Sequence, residues 1–492
     1  MRIDKWLLFV IALCILNFFL RIPFMHTLPY NDQAVYYDAT LKMLNNNLNP
    51  FTLYISYRPP VFIFLSALLF KFFGPSLTVG SLIIYTFSSL SLLFTYLLGK
   101  QLFDKKTGLY ATVLLCIFPL FMSQSFFFND VSILTFLLLM TMYAYFTHNK
   151  LWYYISATLL VLTKEPFLFI PFFICLYEAY RLKLLLHFSL SKSIRQAIPY
   201  CLPLIAILIW MGLNKMIFSF YLDPANFGLL SFNRNFVITI QNILQFIFLF
   251  NGIWLIWPTI ITYVVIFLAK KIPFQKKRYM PLLFFLFLFF FYVLLYFFSA
   301  FVPRYLLPLY PYLFIVSGAT MMFFFSKIKA LILSICIGTI FICIHIAHYY
   351  YLPMDYWGET DLNLFHVTTL YTKSIEYIHT NYPNALIVTL PWLYQWDTPS
   401  FKYSNPLYKE NMHFWNINNE GTIELGNVFY YANKQNLSPI IFIDPSYIDE
   451  PNDPPILDLH KEKIIILYDS MINRYNYHTL YRITKDSISS NE

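Results

Sequence analysis

LTVGSLIIYTFSSLSLLFTYLLGKQLFDKK, Leu77 to Lys106, decides the fold. The stretch 77–99 carries no charge and is long enough to cross about 30 Å of hydrocarbon. Lys100, Lys105 and Lys106 follow at once, the mark of a span end on the cytoplasmic face. Working outward, apolar stretches that cross or nearly cross the same thickness run at 6–22, 108–126, 131–147, 151–163, 166–180, 197–217, 241–269, 281–301, 305–325 and 330–349. With 77–99 they predict a polytopic α-helical membrane protein of about 11 spans.

Composition agrees. Of the 492 residues 59% are hydrophobic and only 12% charged, with mean hydropathy +0.58, whereas a soluble globule carries about 25% charged residues. Charge is also divided unevenly. The residues before Tyr350 hold 25 of the 34 bases but only 8 of the 25 acids. In a soluble chain that excess of bases would point to nucleic acid. Here the bases sit between apolar stretches, at Lys100/Lys105/Lys106, His148/Lys150, Arg181/Lys183/Lys192/Arg195, Lys270 to Arg278 and Lys327/Lys329. With Arg2 and Lys5 holding the N-terminus inside, every cluster falls on the cytoplasmic side, provided that Val61 to Phe73, too short for a comfortable span, lies in the outer interface or dips back. Trp6 to Leu20 resembles a signal-peptide core, but no small-residue cleavage site follows it, so it reads as a retained first span.

The odd span count places the loop 24–58 and everything from about Tyr350 outside the cell membrane. Residues 1–349 are thus expected to form the membrane domain and 350–492 a soluble extracytoplasmic α/β domain. Its elements are a helix near Leu364 to His379 and strand-like runs at Ala385 to Leu390, Pro439 to Asp444, Lys463 to Tyr468 and Tyr477 to Thr484.

Ionisable groups near hydrocarbon are costly enough to need a reason. The loop reads PYNDQAVYYD from Pro29 to Asp38, and Tyr36 to Leu44 can form a short amphipathic helix lying on the membrane. Asp32, just ahead of it, can take a proton from an incoming hydroxyl or amine, or else make an Asx turn or cap. Asp130 follows Phe126-Phe127-Phe128-Asn129 at an outer span end, where capping the helix begun by Val131 and acting in a site are compatible. Thr163-Lys164-Glu165-Pro166 breaks two short spans, and polar backbone at that depth implies a protein-lined cavity. Lys164 there either pairs with Glu165 or faces a phosphate. Arg304-Tyr305 sits at another outer span end, where snorkelling to lipid is the common role. Together Arg58, Lys164 and Arg304 put three cations beside these carboxylates, an arrangement suited to displacing a phosphate leaving group.

These elements resemble, in order and topology, the GT-C superfamily of integral-membrane glycosyltransferases, in the branch of the protein O-mannosyltransferases and lipid A aminoarabinose transferases. The matching elements are Asp32-Gln33, Arg58-Pro59-Pro60, Asp130, Thr163-Lys164 and Arg304-Tyr305-Leu306-Leu307-Pro308. The resemblance implies a polyprenyl-phosphate sugar donor, inversion at the anomeric carbon, and a lipid, glycan or protein acceptor. It implies Asp32 as base or acceptor-positioning group and Lys164, Arg304 and Tyr305 around the donor phosphate; Asp130 is the second catalytic candidate, and Gln33, Tyr36 and Arg58 are candidates for positioning donor or acceptor. This chain departs from the family in having Gln33 where a second acid normally stands, since an amide accepts no proton usefully. Tyr57, in place of an acid found in some relatives, leaves no support for a divalent metal there.

Two rival functions remain. A lipid-sugar flippase would also bury charges along a path, although 12 glycines are few for sliding helices and no inverted repeat is detectable. A non-catalytic glycolipid-binding protein is the other. No nucleotide-binding loop, zincin or serine-hydrolase motif occurs. All six cysteines lie in apolar stretches, and His345/His348 read as interfacial side chains rather than metal ligands. The tail aromatics Trp392, Tyr394, Trp396 and Trp415 suit either sugar stacking or core packing.

Overall fold

A computed structural model describes residues 4–25, 32–52, 59–219, 256–268, 276–297, 303–324, 333, 336–344, 364–389, 413–416, 439–445, 461–468 and 477–483. The helices are α1 (Lys5–Phe19), α2 (Asp32–Asn45), α3 (Val61–Phe73), α4 (Leu77–Leu102), α5 (Lys105–Ile117), α6 (Pro119–Gln124), α7 (Val131–Phe146), α8 (Lys150–Val161), α9 (Phe169–Leu186), α10 (Leu190–Ala197) and α11 (Pro203–Phe218). After them come α12 (Trp257–Leu268), α13 (Lys276–Phe297), α14 (Tyr310–Phe324) and α15 (Leu364–Asn381).

The starts of these helices follow local chemistry. Asp4, Ser76, Asp104, Asn149 and Ser189 each accept a backbone N–H of the first turn, so donors that the helix cannot satisfy are matched by a side chain. Helix α4 is the hub, packing against α1, α5 and α7. Its buried face is rich in small residues, among them Gly80, Ser88, Ser91 and Gly99, which let backbones approach where hydrocarbon offers no hydrophobic drive. At the contact with α5, a Cβ on Gly99 would stand 2.7 Å from the Cα of Gly108. Helix α1 leaves the side chains of Leu8, Phe9, Ile15 and Leu16 exposed and turns Asn17 inward, as does Arg21 just after it. Arg21 is fully buried. Its guanidinium donates to Ser125 Oγ and to both oxygens of Asn17 and lies 5.0 Å from the Phe126 ring.

Three described helical segments, 5–24, 77–102 and 304–322, are apolar and long enough to cross a membrane, and the pair 190–201 and 203–218, bent by 52°, makes a fourth if counted as one. Val61–Phe73, Val131–Phe146 and Met280–Leu295 are apolar but shorter. Several of the 11 expected stretches therefore end in turns and 3-10 segments before reaching full span length, as at Phe118-Pro119 and Thr163 to Pro166.

Contacts sort the helix ends into two sets. At one end Asp4 at the start of α1 pairs with Lys100 (2.9 Å) and Lys105 (3.1 Å). At the other, the C-terminal end of α1 meets Ser125, the start of α4 meets Phe128, and the start of α7 meets the end of α8. The candidate residues described below all belong to this second end.

In the tail, α15 and strands β1 (Leu386–Thr389), β3 (Ile440–Pro445), β4 (Lys461–Tyr468) and β5 (Tyr477–Ile483) fall on the expected runs, and β2 (His413–Asn416) is an addition. They form a sheet of order β2-β1-β3-β5-β4, parallel across its first three strands and antiparallel thereafter. Helix α15 packs on β4 and β5.

Candidate active site

Asp130 lies at the start of α7 and is buried. It does not cap that helix: its side chain makes no cap bond. The neighbouring Asn129 accepts the Val131 N–H (3.0 Å) while its own amide donates to Gln124 Oε1 (2.8 Å). The Asp130 carboxylate is thereby left to tertiary partners. Tyr36 of α2 donates its hydroxyl to Oδ2 at 2.8 Å, and the Lys164 ammonium lies 3.0 Å from Oδ2 and 3.4 Å from Oδ1.

Lys164 owes its position to the break expected from the sequence. Helix α8 ends at Val161, and Lys164 is extended (φ −156°, ψ 132°) before the 3-10 turn Glu165–Leu168. Pro166 cannot continue an α-helix, and its carbonyl is held by the Tyr292 hydroxyl of α13 at 2.9 Å. Two hydrogen bonds tie neighbouring chain to the end of α8: Thr163 Oγ1 donates to Leu159 O (2.7 Å), and Val61 N donates to Leu162 O (3.0 Å). The second brings the buried Pro59, just after Arg58, beside the break. The ion pair of Lys164 is made with Asp130, a partner the sequence did not offer, and not with the adjacent Glu165.

The 3-10 segment Pro303–Leu309 supplies the remaining wall. The Lys164 ammonium sits 3.8 Å from the centre of the Tyr305 ring, and the guanidinium of the buried Arg304 lies 5.4 Å from the same ring. Both distances are within cation–π range. Lys164, Arg304 and Asp130 carry a net formal charge of +1, in surroundings where only 14% of the lysine and 4% of the aspartate side chain meet solvent. Low-dielectric walls of this kind strengthen the field of the two cations. An ammonium has three N–H donors, so Lys164 keeps at least one for a phosphate oxygen while engaged with Asp130.

Helix α2 differs from its expected place on the membrane surface. Tyr36, Tyr37, Asp38, Ala39, Thr40, Leu41 and Met43 are all buried, because the helix is wedged beside α3 and the Phe126–Asp130 turn. Tyr36 stacks edge-on against Phe62 (5.3 Å), Tyr37 packs on Phe70 and Phe128, and Phe128 rests on Gly80. Asp32 is the first residue of this helix, one turn before Tyr36, and Gln33 is buried. The anchoring of Tyr36 to Asp130 fixes the helix that carries position 32. Arg58 and His345/His348 lie outside the described residues. Asp38 is taken up by Lys42 (2.6 Å). Glu178, at the other end of the bundle, is held by Arg181 and the Tyr145 hydroxyl. Neither acid joins the cluster. Among the described residues no group of three His, Cys, Asp or Glu side chains gathers as metal ligands.

Asn129 and Tyr292 position the site and were not among the expected residues. An Asn ahead of a helix start is a readable signal for the first, whereas Tyr292 lies in a Phe-rich run with nothing in its spacing to single it out.

Comparison with known proteins bears on this geometry. Residues 57–213 match the family described as dolichyl-phosphate-mannose-protein mannosyltransferase. The chain superposes on ArnT from Cupriavidus metallidurans bound to undecaprenyl phosphate with a TM-score of 0.58 at 13% identity, covering 99% of this chain and 98% of that one. The apo state of that protein gives 0.56 at 12% identity, with 97% of each chain covered. An oligosaccharyltransferase of Archaeoglobus fulgidus in complex with zinc and sulfate gives 0.54 at 14% identity, covering 89% of this chain and 68% of that one. No curated protein matches the sequence. At these identities the likeness is one of fold.

Proposed function

We propose that this chain of GT-C fold is an inverting glycosyltransferase that moves a sugar from a polyprenyl-phosphate carrier to a lipid, glycan or protein acceptor on the outer side of the cell membrane. The observation that carries this reading is the cluster in which Asp130 and the Tyr305 ring hold the Lys164 ammonium, with Arg304 alongside. It is an anion site between helices, at the bundle end opposite Lys100 and Lys105. The match to a family named for a lipid-phosphate-linked sugar, and the fold shared with a protein that binds undecaprenyl phosphate, support the same donor class.

In this mechanism an acceptor oxygen or nitrogen attacks the anomeric carbon as the bond from that carbon to the phosphate oxygen breaks. The bonding pair leaves on polyprenyl phosphate, and Asp32 takes the acceptor's proton. Lys164 and Arg304 neutralise the charge that grows on the departing phosphate, lowering the barrier electrostatically. Asp130 acts in two directions, orienting Lys164 and anchoring α2 through Tyr36. Gln33, Arg58 and the rest of 24–58 would position donor and acceptor, and residues 350–492 would lie outside with the acceptor.

The test is undecaprenyl phosphate binding and turnover in three variants. Lys164→Met and Arg304→Met should weaken binding of the lipid phosphate, whereas Asp32→Asn should retain binding and lose transfer. Unchanged affinity in both cation variants would remove the phosphate assignment. Full transfer activity in Asp32→Asn would remove the assigned base.

A further inference from the structure

Helix α11 carries two polar side chains that the candidate site does not use. Asn214 is fully buried, and neither its amide nitrogen nor its carbonyl oxygen has a hydrogen-bond partner among the described residues. Trp210 is 5% exposed, and its indole nitrogen is likewise without a partner among them. Residues four apart share one face of a helix, so an unmatched amide and an unmatched indole N–H occupy a single stripe. Buried polar groups are nearly always hydrogen-bonded, and each exception calls for an explanation.

The Trp210 end of the stripe packs beside the break that presents Lys164. Trp210 belongs to a cluster with Val161, Leu162 and Leu168, residues that bracket the break presenting Lys164. Its indole stacks on Phe51 with ring centres 5.1 Å apart and planes at 27°. Phe51 follows α2 in the chain and is only partly buried, so its displacement would uncover an indole face. The chemistry is neutral. A carboxamide offers two donors and an acceptor oxygen, and an indole one donor beside an aromatic surface. That set complements a ring bearing several hydroxyls, each of which donates and accepts. It lacks the charge that a phosphate would require.

We propose that Trp210 and Asn214 form the subsite that reads the hydroxyls of the sugar on the lipid-linked donor, next to the cations that hold its phosphate. This rests on the glycosyltransferase reading above.

The experiment compares the thermal unfolding of purified wild type, Asn214→Leu and Trp210→Phe with two kinds of probe. One is undecaprenyl phosphate alone. The other is a panel of undecaprenyl-phosphate monosaccharides carrying mannose, glucose, galactose or N-acetylglucosamine. Wild type should be stabilised by the bare lipid phosphate and further by at least one sugar-bearing lipid. In Asn214→Leu the response to the bare lipid should persist, while affinity for that sugar-bearing lipid falls about tenfold, the loss of about one hydrogen bond. Without ligand, Asn214→Leu should unfold at the same or a higher temperature than wild type, because leucine fills a similar volume with no polar atom to satisfy. A purely structural Asn214 would give that stabilisation and leave the sugar response intact. If Asn214→Leu does not fold, Trp210→Phe, which keeps an aromatic ring and removes the N–H, carries the same comparison.

Retention of the full sugar response in the variants overturns the proposal. So does a wild type that answers the bare lipid phosphate but gains nothing from any sugar in the panel, although the phosphate site would then stand. A wild type with no response to undecaprenyl phosphate overturns the donor reading itself, and the subsite with it.

Discussion

Replacing Asp130 with asparagine removes one charge from a buried pair and little else. Asparagine has nearly the same shape and still offers an oxygen to the Tyr36 hydroxyl, so the change isolates the interaction with Lys164, 3.0 Å away. Breaking a buried pair from one side costs about 3–5 kcal/mol, because the surviving charge is left uncompensated. Lys164 retains the Tyr305 ring at 3.8 Å, a contact that keeps about 1–2 kcal/mol when desolvated. The cost of Asp130→Asn should therefore sit near the lower bound, at about 3 kcal/mol. Lys164→Met should cost a similar amount by stranding the carboxylate. The double variant strands neither charge, so it should cost no more than either single one and fall short of the sum by about 3 kcal/mol, the upper end of the range for residues in direct contact. The assay is a double-mutant cycle on unfolding of the four proteins in one detergent. Penalties that add to within about 0.5 kcal/mol would mean that the pair does not hold the two helices together, and the proposed role of Asp130 would fail.

Asn129→Ala should destabilise the protein by about 1 kcal/mol through loss of the bond to Val131 N, and differential unfolding would register it. Gly108→Ala should lower the yield of folded protein, since its Cβ would stand 2.9 Å from the Lys100 backbone nitrogen and overpacking costs about 1–3 kcal/mol; the size-exclusion profile in detergent would check this. Acid stability should depend on Asp4. The hydrogen bond from Lys100, together with Lys105, depresses its carboxyl from the ordinary 3.8 to about 2. A depressed carboxylate contributes stability above its unfolded pKa and loses it as pH falls through the folded one. Wild type should therefore lose stability between about pH 4 and pH 2, and Asp4→Asn should flatten that part of the curve in a pH series of unfolding midpoints.

Much of this architecture was legible because membrane burial makes polar residues conspicuous. Lys164 stood out as a cation in a Pro-bounded break, Asp130 as an acid at a span end, and Arg304-Tyr305 as a polar step between apolar runs. The structure brings all four side chains to one cluster. What could not be read was partner choice. Sequence proximity offered Lys164 the adjacent Glu165 and left Asp130 compatible with both a cap and a site, whereas tertiary packing of α7 against the end of α8 paired Lys164 with Asp130 and left the cap to Asn129. Helix α2 was legible as a helix but not as a buried one. Its apolar and aromatic residues suit lipid or protein equally, and only the Phe62, Phe70 and Phe128 surfaces decide between them. The short strand β2, HFWN flanked by asparagines and charges, is held by its parallel pairing with β1 rather than by any alternation of its own. Asn214 was passed over for the opposite reason, as one polar residue in a long apolar run, and its significance rests on a burial that sequence cannot report.

The most direct measurement of the central claim follows the sugar and the carrier together. Purified protein would be incubated with a panel of radiolabelled undecaprenyl-phosphate sugars and a membrane extract from cells lacking the gene. A glycosyltransferase of the kind proposed should move label from one of these donors to an acceptor and release an equal amount of undecaprenyl phosphate, with both signals lost in Asp32→Asn. Label that stays on its carrier across the whole panel, with no undecaprenyl phosphate released, would contradict the account.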